Sequence, residues 1–367
     1  MLLIQSERNA LLSALSAVVG VVERRHTLPI LSNLLLEKKG GKLTLLATDL
    51  ELQISTQLDA KGGEDFAITI AARKLFDIVR ALPEASSVKL DSKDSQVVVS
   101  AGKSRFTLQT LPAADFPRVE TGAGLGDAIR LPQKTLKRLL QLVQFAMASQ
   151  DIRYFLNGML LVLDGTALRV VATDGHRLSY AETTLDTAGE AREVIIPRKT
   201  VMELAKLLGD TDDAVELRIG ANQVTIALPG TELVTKVVDG KFPDYQRVIP
   251  VNQPRQLKAN RPVVTQALQR AAILSNEKFR GVRLVMSENT LGIVCNNNEQ
   301  EEAADEIEVD YHGDPLDVGF NVTYLLDGLG AVNAGEITLS FGDANSSMLL
   351  TSEGEPGFKY VVMPMRI

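Results

Sequence analysis

The sequence predicts an α+β chain made of three tandem copies of one domain, each holding two helices and antiparallel strands. The first observation behind this is a set of markers that recur in one order at nearly one spacing. Ala47-Thr48-Asp49 returns as Ala172-Thr173-Asp174, and Ile70-Ala71-Ala72-Arg73-Lys74 as Ile195-Ile196-Pro197-Arg198-Lys199, each 125 residues later. Phe116-Pro117 returns as Phe242-Pro243, 126 residues later. A third, more diverged copy sets Gly319-Phe320-Asn321-Val322 where Ile196-Pro197-Arg198-Lys199 stood, and Pro364 where Pro243 stood. One such match arises easily by chance, but several in sequence do not. The copies fall at 1–125, 127–253 and 254–367. The second observation is that each copy alternates one helical apolar period with short strand-like runs broken by turn residues.

Within each copy a helix comes first, predicted at Ser6–Val19, Gln133–Ala146 and Arg261–Ile273. Apolar strands follow, such as 33–36 with 43–46 in copy one and 168–171 in copy two. A second helix is predicted at Arg73–Leu82, Arg198–Leu208 and Asn321–Ala331, and further strands such as 97–99 and 106–108 close the unit. Gly40-Gly41, Gly220-Ala221-Asn222 and Ser287-Glu288-Asn289 read as turns. Short meanders of this kind give antiparallel sheets with the helices on one face. The apolar stretch Ala10–Val22 has the look of a signal-peptide core, but Glu7 cancels Arg8 before it, and Leu11, Leu12, Leu15, Val18 and Val19 share one helical face. An amphipathic domain helix is expected.

Of the 367 residues 39 are Lys or Arg and 46 are Asp or Glu, a formal charge of −7. A globally basic nucleic-acid protein is excluded, whereas one with segregated charge is not. Cys295 is the single cysteine, so no intramolecular disulfide forms and a reducing compartment is expected. With it stand three histidines, His26, His176 and His312, too few ligands for His- and Cys-based metal chemistry. No run of 18 apolar residues occurs, so no membrane-spanning helix is predicted. The six predicted helices carry +8 between them, which leaves −15 on the rest of the chain. Solvated Lys and Arg on helix faces account for some of this. Because equivalent helices lie on equivalent faces, it also suits a polyanion held on one surface.

Three segments invite other readings. Thr173-Asp174-Gly175-His176-Arg177 places a His beside an Asp, which raises a hydrolase that uses both. Copy one carries Thr48-Asp49 in the same place without a His, and no supported Ser or Cys nucleophile is evident, so no catalytic residue is expected. Residues 121–126, Thr-Gly-Ala-Gly-Leu-Gly, lack the full spacing of a nucleotide loop and read as a linker between copies. Residues 299–310 hold seven acids and no base, a solvated acidic strand by default and a poor match to a calcium loop. A sequence-reading DNA-binding module is a further alternative, opposed by the acidic net charge and the absence of a helix-turn-helix pattern. The C-terminus is apolar: a last strand reaches Val362, and Met363, Met365 and Ile367 extend past it. Flexible Met side chains suit a surface that accepts several partners.

The runs at 27–33 (TLPILSN), 47–51 (ATDLE), 111–117 (LPAADFP), 150–158 (QDIRYFLNG), 171–178 (VATDGHRL), 239–245 (DGKFPDY), 273–282 (ILSNEKFRGV) and 360–365 (YVVMPM) resemble the bacterial sliding clamps, the β subunits of DNA polymerase III. The resemblance spans essentially the whole chain. It implies the DNA clamp fold, a head-to-tail homodimer ring with helices lining the hole, and duplex DNA passing through without sequence preference. It implies a processivity factor with no catalytic site, cofactor or metal, acting in the cytoplasm at the nucleoid. For DNA it carries over Arg25, Arg73, Arg80, Gln150, Arg153, Tyr154, Arg198 and Lys199, with Phe155 standing where some relatives have Tyr. For a groove that takes short linear motifs of the polymerase III catalytic subunit, the clamp loader, other polymerases and repair proteins it carries over Leu156, Thr173, Gly175, His176, Arg177, Leu178, Pro243, Arg247, Val248, Asn321, Tyr324, Val362, Met363, Pro364, Met365 and Arg366. Ile367 replaces a more usual Leu. For the subunit junction it sets Lys103, Arg105, Phe106 and Leu108 against Ile273, Leu274, Glu301 and Glu302, since an exposed edge strand is an aggregation hazard unless paired.

Overall fold

A computed structural model describes residues 1–23, 28–122 and 124–366. It divides into two compact units, residues 1–134 with 202–237, and residues 135–201 with 238–367. Seven α-helices are described: α1 (Arg8–Val19), α2 (Ala72–Ala81), α3 (Gln133–Val143), α4 (Arg198–Leu207), the single turn α5 (Tyr245–Val248), α6 (Arg261–Ala271) and α7 (Val322–Ala331). Six of these are the six expected helices. The first begins two residues later than its sequence reading, because Ser6 and Glu7 pair with Val88 and Ser87 as the end of strand Leu2–Glu7. The first helices of copies two and three shorten into 3₁₀ turns at Gln144–Ala146 and Ala272–Leu274. The signal-like stretch lies mainly in α1, which buries Leu11, Ala14, Leu15 and Val18.

The first unit is built on one twelve-stranded antiparallel sheet. The second holds a seven-stranded and a four-stranded sheet. The expected turns are where the hairpins need them: Gly40 and Gly41, both with positive φ (55° and 85°), join Asn33–Lys39 to Lys42–Thr48. Two such residues in succession are what a two-residue hairpin requires, and glycine supplies them without strain.

Arginines at helix starts do a job that the charge count did not anticipate. Arg8 donates to the carbonyls of Val79 (3.0 Å) and Arg80 (2.6 Å) near the end of α2, and Arg73, on the first turn of α2, donates to Val22 O (2.6 Å) just past α1. A cation at its own helix N-terminus opposes the helix dipole, but these guanidiniums reach the partner helix's C-terminal carbonyls, where a cation is favoured. Copy two repeats half of this, Arg198 donating to Met147 O (2.9 Å), and copy three the other half, Arg261 to Ala334 O (2.9 Å). Other helix cations are paired with acids, Lys206 with Glu203 (2.7 Å) and Arg138 with Glu355. The +8 of the helices is therefore partly internal capping and ion pairing.

One junction occurs twice. The strand that follows the Ala-Thr-Asp turn of copy one, Leu52–Asp59, pairs with Thr231–Lys236, the last strand of copy two, Leu52 opposite Thr235. The equivalent strand of copy two, Arg177–Pro197, pairs with Phe358–Val362, the last strand of copy three, Arg177 opposite Val362. Each copy thus extends its sheet into the next.

Two glycines in α7 have opposite reasons to be there. A Cβ at Gly328 would fall 2.3 Å from the buried Tyr360 ring, whereas one at Gly330 meets nothing within 4 Å. Gly328→Ala is expected to lower the melting temperature through an overpacking cost of about 1–3 kcal/mol. Gly330→Ala should raise it, by up to about 1 kcal/mol in stability. Thermal unfolding of the two variants checks both signs.

Candidate functional site

The Thr-Asp turn at 173–177 is structural before it is anything else. Thr173 Oγ1 donates to Arg177 O (2.6 Å) and accepts from Gly175 N (3.1 Å), while Asp174 Oδ1 accepts from His176 N (2.9 Å) and Arg177 N (3.1 Å). Copy one makes the same four bonds: Thr48 Oγ1 to Leu52 O, Leu50 N to Thr48 Oγ1, and Glu51 N and Leu52 N to Asp49 Oδ1. The third position of the turn has positive φ in both, +78° at Leu50 and +89° at Gly175. The recurrence of Ala-Thr-Asp is thus a turn requirement. Asp174 spends its other oxygen on Arg177 Nε (3.0 Å), and no bond joins it to the exposed His176 side chain among the described residues. The geometry offers no acid–base pair.

This turn brings the predicted groove residues together. Leu178 belongs to an apolar cluster with Leu160, Val171, Tyr180, Ile195, Phe242, Tyr245 and Val361, against which Phe155 and Val248 pack. Leu156 is buried on the 3₁₀ turn Tyr154–Leu156. Pro243 and Arg247 are exposed on the segment leading into and along α5, Arg247 paired with Asp244 at 3.0 Å. Asn321 caps α7, accepting from Thr323 N (2.9 Å) and Tyr324 N (3.4 Å). The last strand ends at the buried Val362, where the sequence placed its end. Beyond it the tail is pinned by main-chain bonds, Met363 N to His176 O and Met365 N to Gly319 O, both 2.9 Å. Met363 remains 42% exposed, with Pro364 and Met365 half-buried and Arg366 exposed beside it. Ile367 lies outside the described residues. Phe279 is exposed on the loop whose Arg280 O accepts from Val322 N (2.8 Å), next to Asn321. The sequence reading passed over it, although an exposed aromatic in a loop is a recognisable signal.

Arg177, carried over by the resemblance as a groove residue, is largely buried. Its side chain is 10% exposed, and its nitrogens donate to Asp174, to Asp327 Oδ2 (2.5 Å) and to Phe145 O (2.7 Å). Its donors are taken up by these internal partners.

The predicted DNA contacts fall into two kinds. Arg73, Arg80, Arg198 and Lys199 lie on α2 and α4. Arg73 and Arg198 hold helix ends as described, and Arg80 pairs with Asp77 (2.8 Å). Gln150, Arg153 and Tyr154 lie on an exposed loop before strand Gly158–Thr173. There Arg153 is forked onto Asp151, Nε to Oδ1 at 3.0 Å and Nη2 to Oδ2 at 2.9 Å. The Arg153 side chain and backbone N–H hold the Asp151 carboxyl down at about 2. Arg25 lies outside the described residues.

For the predicted subunit junction, strand Ser104–Leu111 pairs along Ser104–Gln109 on one side only, its other side meeting Phe66–Ala71 at Thr110 and Leu111. Lys103 and Arg105 are exposed there, Phe106 is 37% exposed, and Leu108 is buried in its own sheet and is a core residue. Strand Glu302–Glu308 is an edge of the four-stranded sheet, with Glu301 and Glu302 exposed. Ile273 is 77% exposed, and Leu274 is half-buried.

Comparison with known proteins agrees with this architecture. The N-terminal, central and C-terminal domain families of the DNA polymerase III beta subunit match residues 2–120, 130–244 and 246–366. The beta sliding clamp of Pseudomonas putida is 47% identical over 366 residues, 98% of this chain and 99% of the relative, and that of Escherichia coli K12 is 44% identical over 362 residues, with the same coverage. The crystal structure of the Pseudomonas aeruginosa clamp bound to griselimycin superposes with a TM-score of 0.95 at 44% identity, covering 100% of both chains. With three copies in tandem, an internally satisfied Asp-His turn and full-length matches of this closeness, the chain belongs to the DNA polymerase III beta subunit family, the sliding clamps, and is an accessory processivity factor without catalysis of its own.

Proposed function

We propose that two copies of this chain close head to tail into a ring around duplex DNA and hold polymerases there through the tail-bordered groove. The observation that carries this is the repeated junction. Each internal copy gives the strand after its turn to the last strand of the next copy, so one such strand (Glu302–Glu308) and one last strand (Ser104–Leu111) are left over. A head-to-tail contact of this kind forms a ring where the rotation closes. Carrying the internal register over sets Glu306 opposite Lys103, with Glu302 and Glu306 diagonal to Arg105, opposite charges on facing edges.

In this reading the three domains are 1–125, 127–253 and 254–367. The basic residues of α2 and α4, with Gln150, Arg153 and Tyr154, meet phosphate and sugar, since a sliding ring must not read bases. The occupants of the groove are short linear motifs of the polymerase III catalytic subunit, the clamp loader, other polymerases and repair proteins, at the nucleoid in the cell interior.

The test is topological. Protein loaded onto a nicked circle should stay bound through a high-salt wash, and linearising the circle should release it. Contact binding predicts equal loss from both forms, and strong dependence on DNA sequence would also overturn the reading.

A further inference from the structure

We infer that Asp327 is a positioning residue for the partner groove, acting through Arg177. The inference rests on the groove reading above and adds what holds one wall of it in place.

The repeat isolates the unusual residue. The turn at 173–177 makes the same bonds as the turn at 48–52, so Arg177 occupies the position of Leu52, which is buried. Copy two therefore puts a cation where copy one has a core leucine. A guanidinium removed from water is costly unless its donors are met. Asp174 cannot meet them alone, because Oδ1 already serves the N–H groups of His176 and Arg177, leaving Oδ2 for Arg177 Nε. The second carboxylate comes from α7, where Asp327 Oδ2 takes Nη1 at 2.5 Å, and the Phe145 carbonyl takes Nη2 at 2.7 Å.

The same helix gives the cation a surface to lie on. Tyr324, three residues before Asp327 and so on the same face of α7, has its ring centroid 4.5 Å from the guanidinium carbon. Tyr324 is tied in turn by its carbonyl, which accepts from the buried Tyr360 hydroxyl at 2.9 Å. Arg177 also begins the strand that pairs with the chain's last strand, opposite Val362, the residue before the tail. The ion pair thus ties α7 to the end of the turn and holds the guanidinium over the Tyr324 ring, beside the start of the tail. Releasing Asp327 leaves Arg177 short of a partner and frees it to swing toward solvent, taking the ring's stacking plane with it. Arg177 is satisfied without a ligand, so its contribution to binding is the preorganisation of the groove around it.

The experiment compares wild type, Asp327→Asn, Asp327→Ala and Asp327→Glu, titrated with one fluorescent peptide of a polymerase's clamp-binding segment. With 3-fluorotyrosine at all six tyrosines, ¹⁹F NMR reads the Tyr324 ring, its signal assigned by Tyr324→Phe. The expected result is a roughly tenfold weaker peptide affinity in the Asn and Ala variants. The Tyr324 resonance should shift, the far-ultraviolet spectrum and retention on circular DNA should stay unchanged, and Glu should restore affinity to within about threefold. Wild-type affinity with an unmoved Tyr324 resonance in the Asn and Ala variants would overturn the inference, and so would a loss that Glu fails to restore. If the wild-type protein itself does not bind the peptide, the groove reading has failed instead, a result distinct from either.

Discussion

Deletion of Met363 to Ile367 is expected to leave a folded, DNA-retaining protein that binds a polymerase-derived peptide about a hundredfold more weakly than the full chain. The fold survives because the last strand is complete without these residues. Phe358–Val362 makes all its ladder bonds to Arg177–Ala181 and Met348–Leu350, and the deletion forfeits two main-chain bonds, to His176 O and Gly319 O. The site does not survive, because those two bonds are what hold Met363 at the 173–177 turn and Met365 at Gly319. Burying a Met side chain is worth about 1.5–3 kcal/mol, and two half-covered ones about 3 kcal/mol together, which is two orders of magnitude in affinity. Isothermal titration of the full-length and truncated proteins with the same peptide measures it. Equal affinities would remove the tail from the site.

The sequence made the three copies legible because the markers that recur are those the fold needs at fixed places. Ala-Thr-Asp marks a turn whose Oγ1 and Oδ1 bonds recur atom for atom, and Arg73 and Arg198 stand at the start of helices whose neighbour they cap. The apolar period fixed the six longer helices to within a few residues. The groove residues came from the family resemblance, and the end of the last strand at Val362 came from patterning. What stayed hidden was the destination of the charges. A sum over helices cannot distinguish Arg73, donating to a carbonyl of its own unit, from a cation offered to phosphate. Nor can it see that Arg177 is buried between two carboxylates while Arg247 is exposed. Long-range pairs such as Arg177 with Asp327, 150 residues apart, have no local signature. Leu108 was assigned to the subunit junction through the family resemblance, and the sheet shows its side chain buried in its own core.

Ile273→Ala combined with Leu274→Ala is expected to convert the protein from dimer to folded monomer at micromolar concentration. The internal junction of copies two and three supplies the reason. There Phe145, at the centre of the 3₁₀ turn Gln144–Ala146, lies against Tyr360 of the next copy's last strand, ring centroids 5.3 Å apart and tilted by 58°. The same turn in copy three is Ala272–Leu274, with Ile273 at its centre, 77% exposed. In the closed ring Ile273 would do for the neighbouring molecule what Phe145 does within the chain, packing over strand Ser104–Leu111 beside Phe106. An exposed isoleucine at that place is costly to a free monomer and favourable in an assembly. Truncating such an apolar anchor at the centre of an interface typically costs 2 kcal/mol or more, while the charged edges around it contribute less. A head-to-tail dimer has two equivalent junctions, so the loss counts twice and the dissociation constant should rise by about three orders of magnitude. The edge charges give an independent handle. Arg105→Glu alone should weaken the dimer, and a charge swap at Glu302 or Glu306, to Arg, should recover part of the loss if the internal register is repeated between molecules. Sedimentation velocity across a concentration series reads all of these variants. A dimer that persists in the double-alanine protein would mean that the leftover strands do not meet.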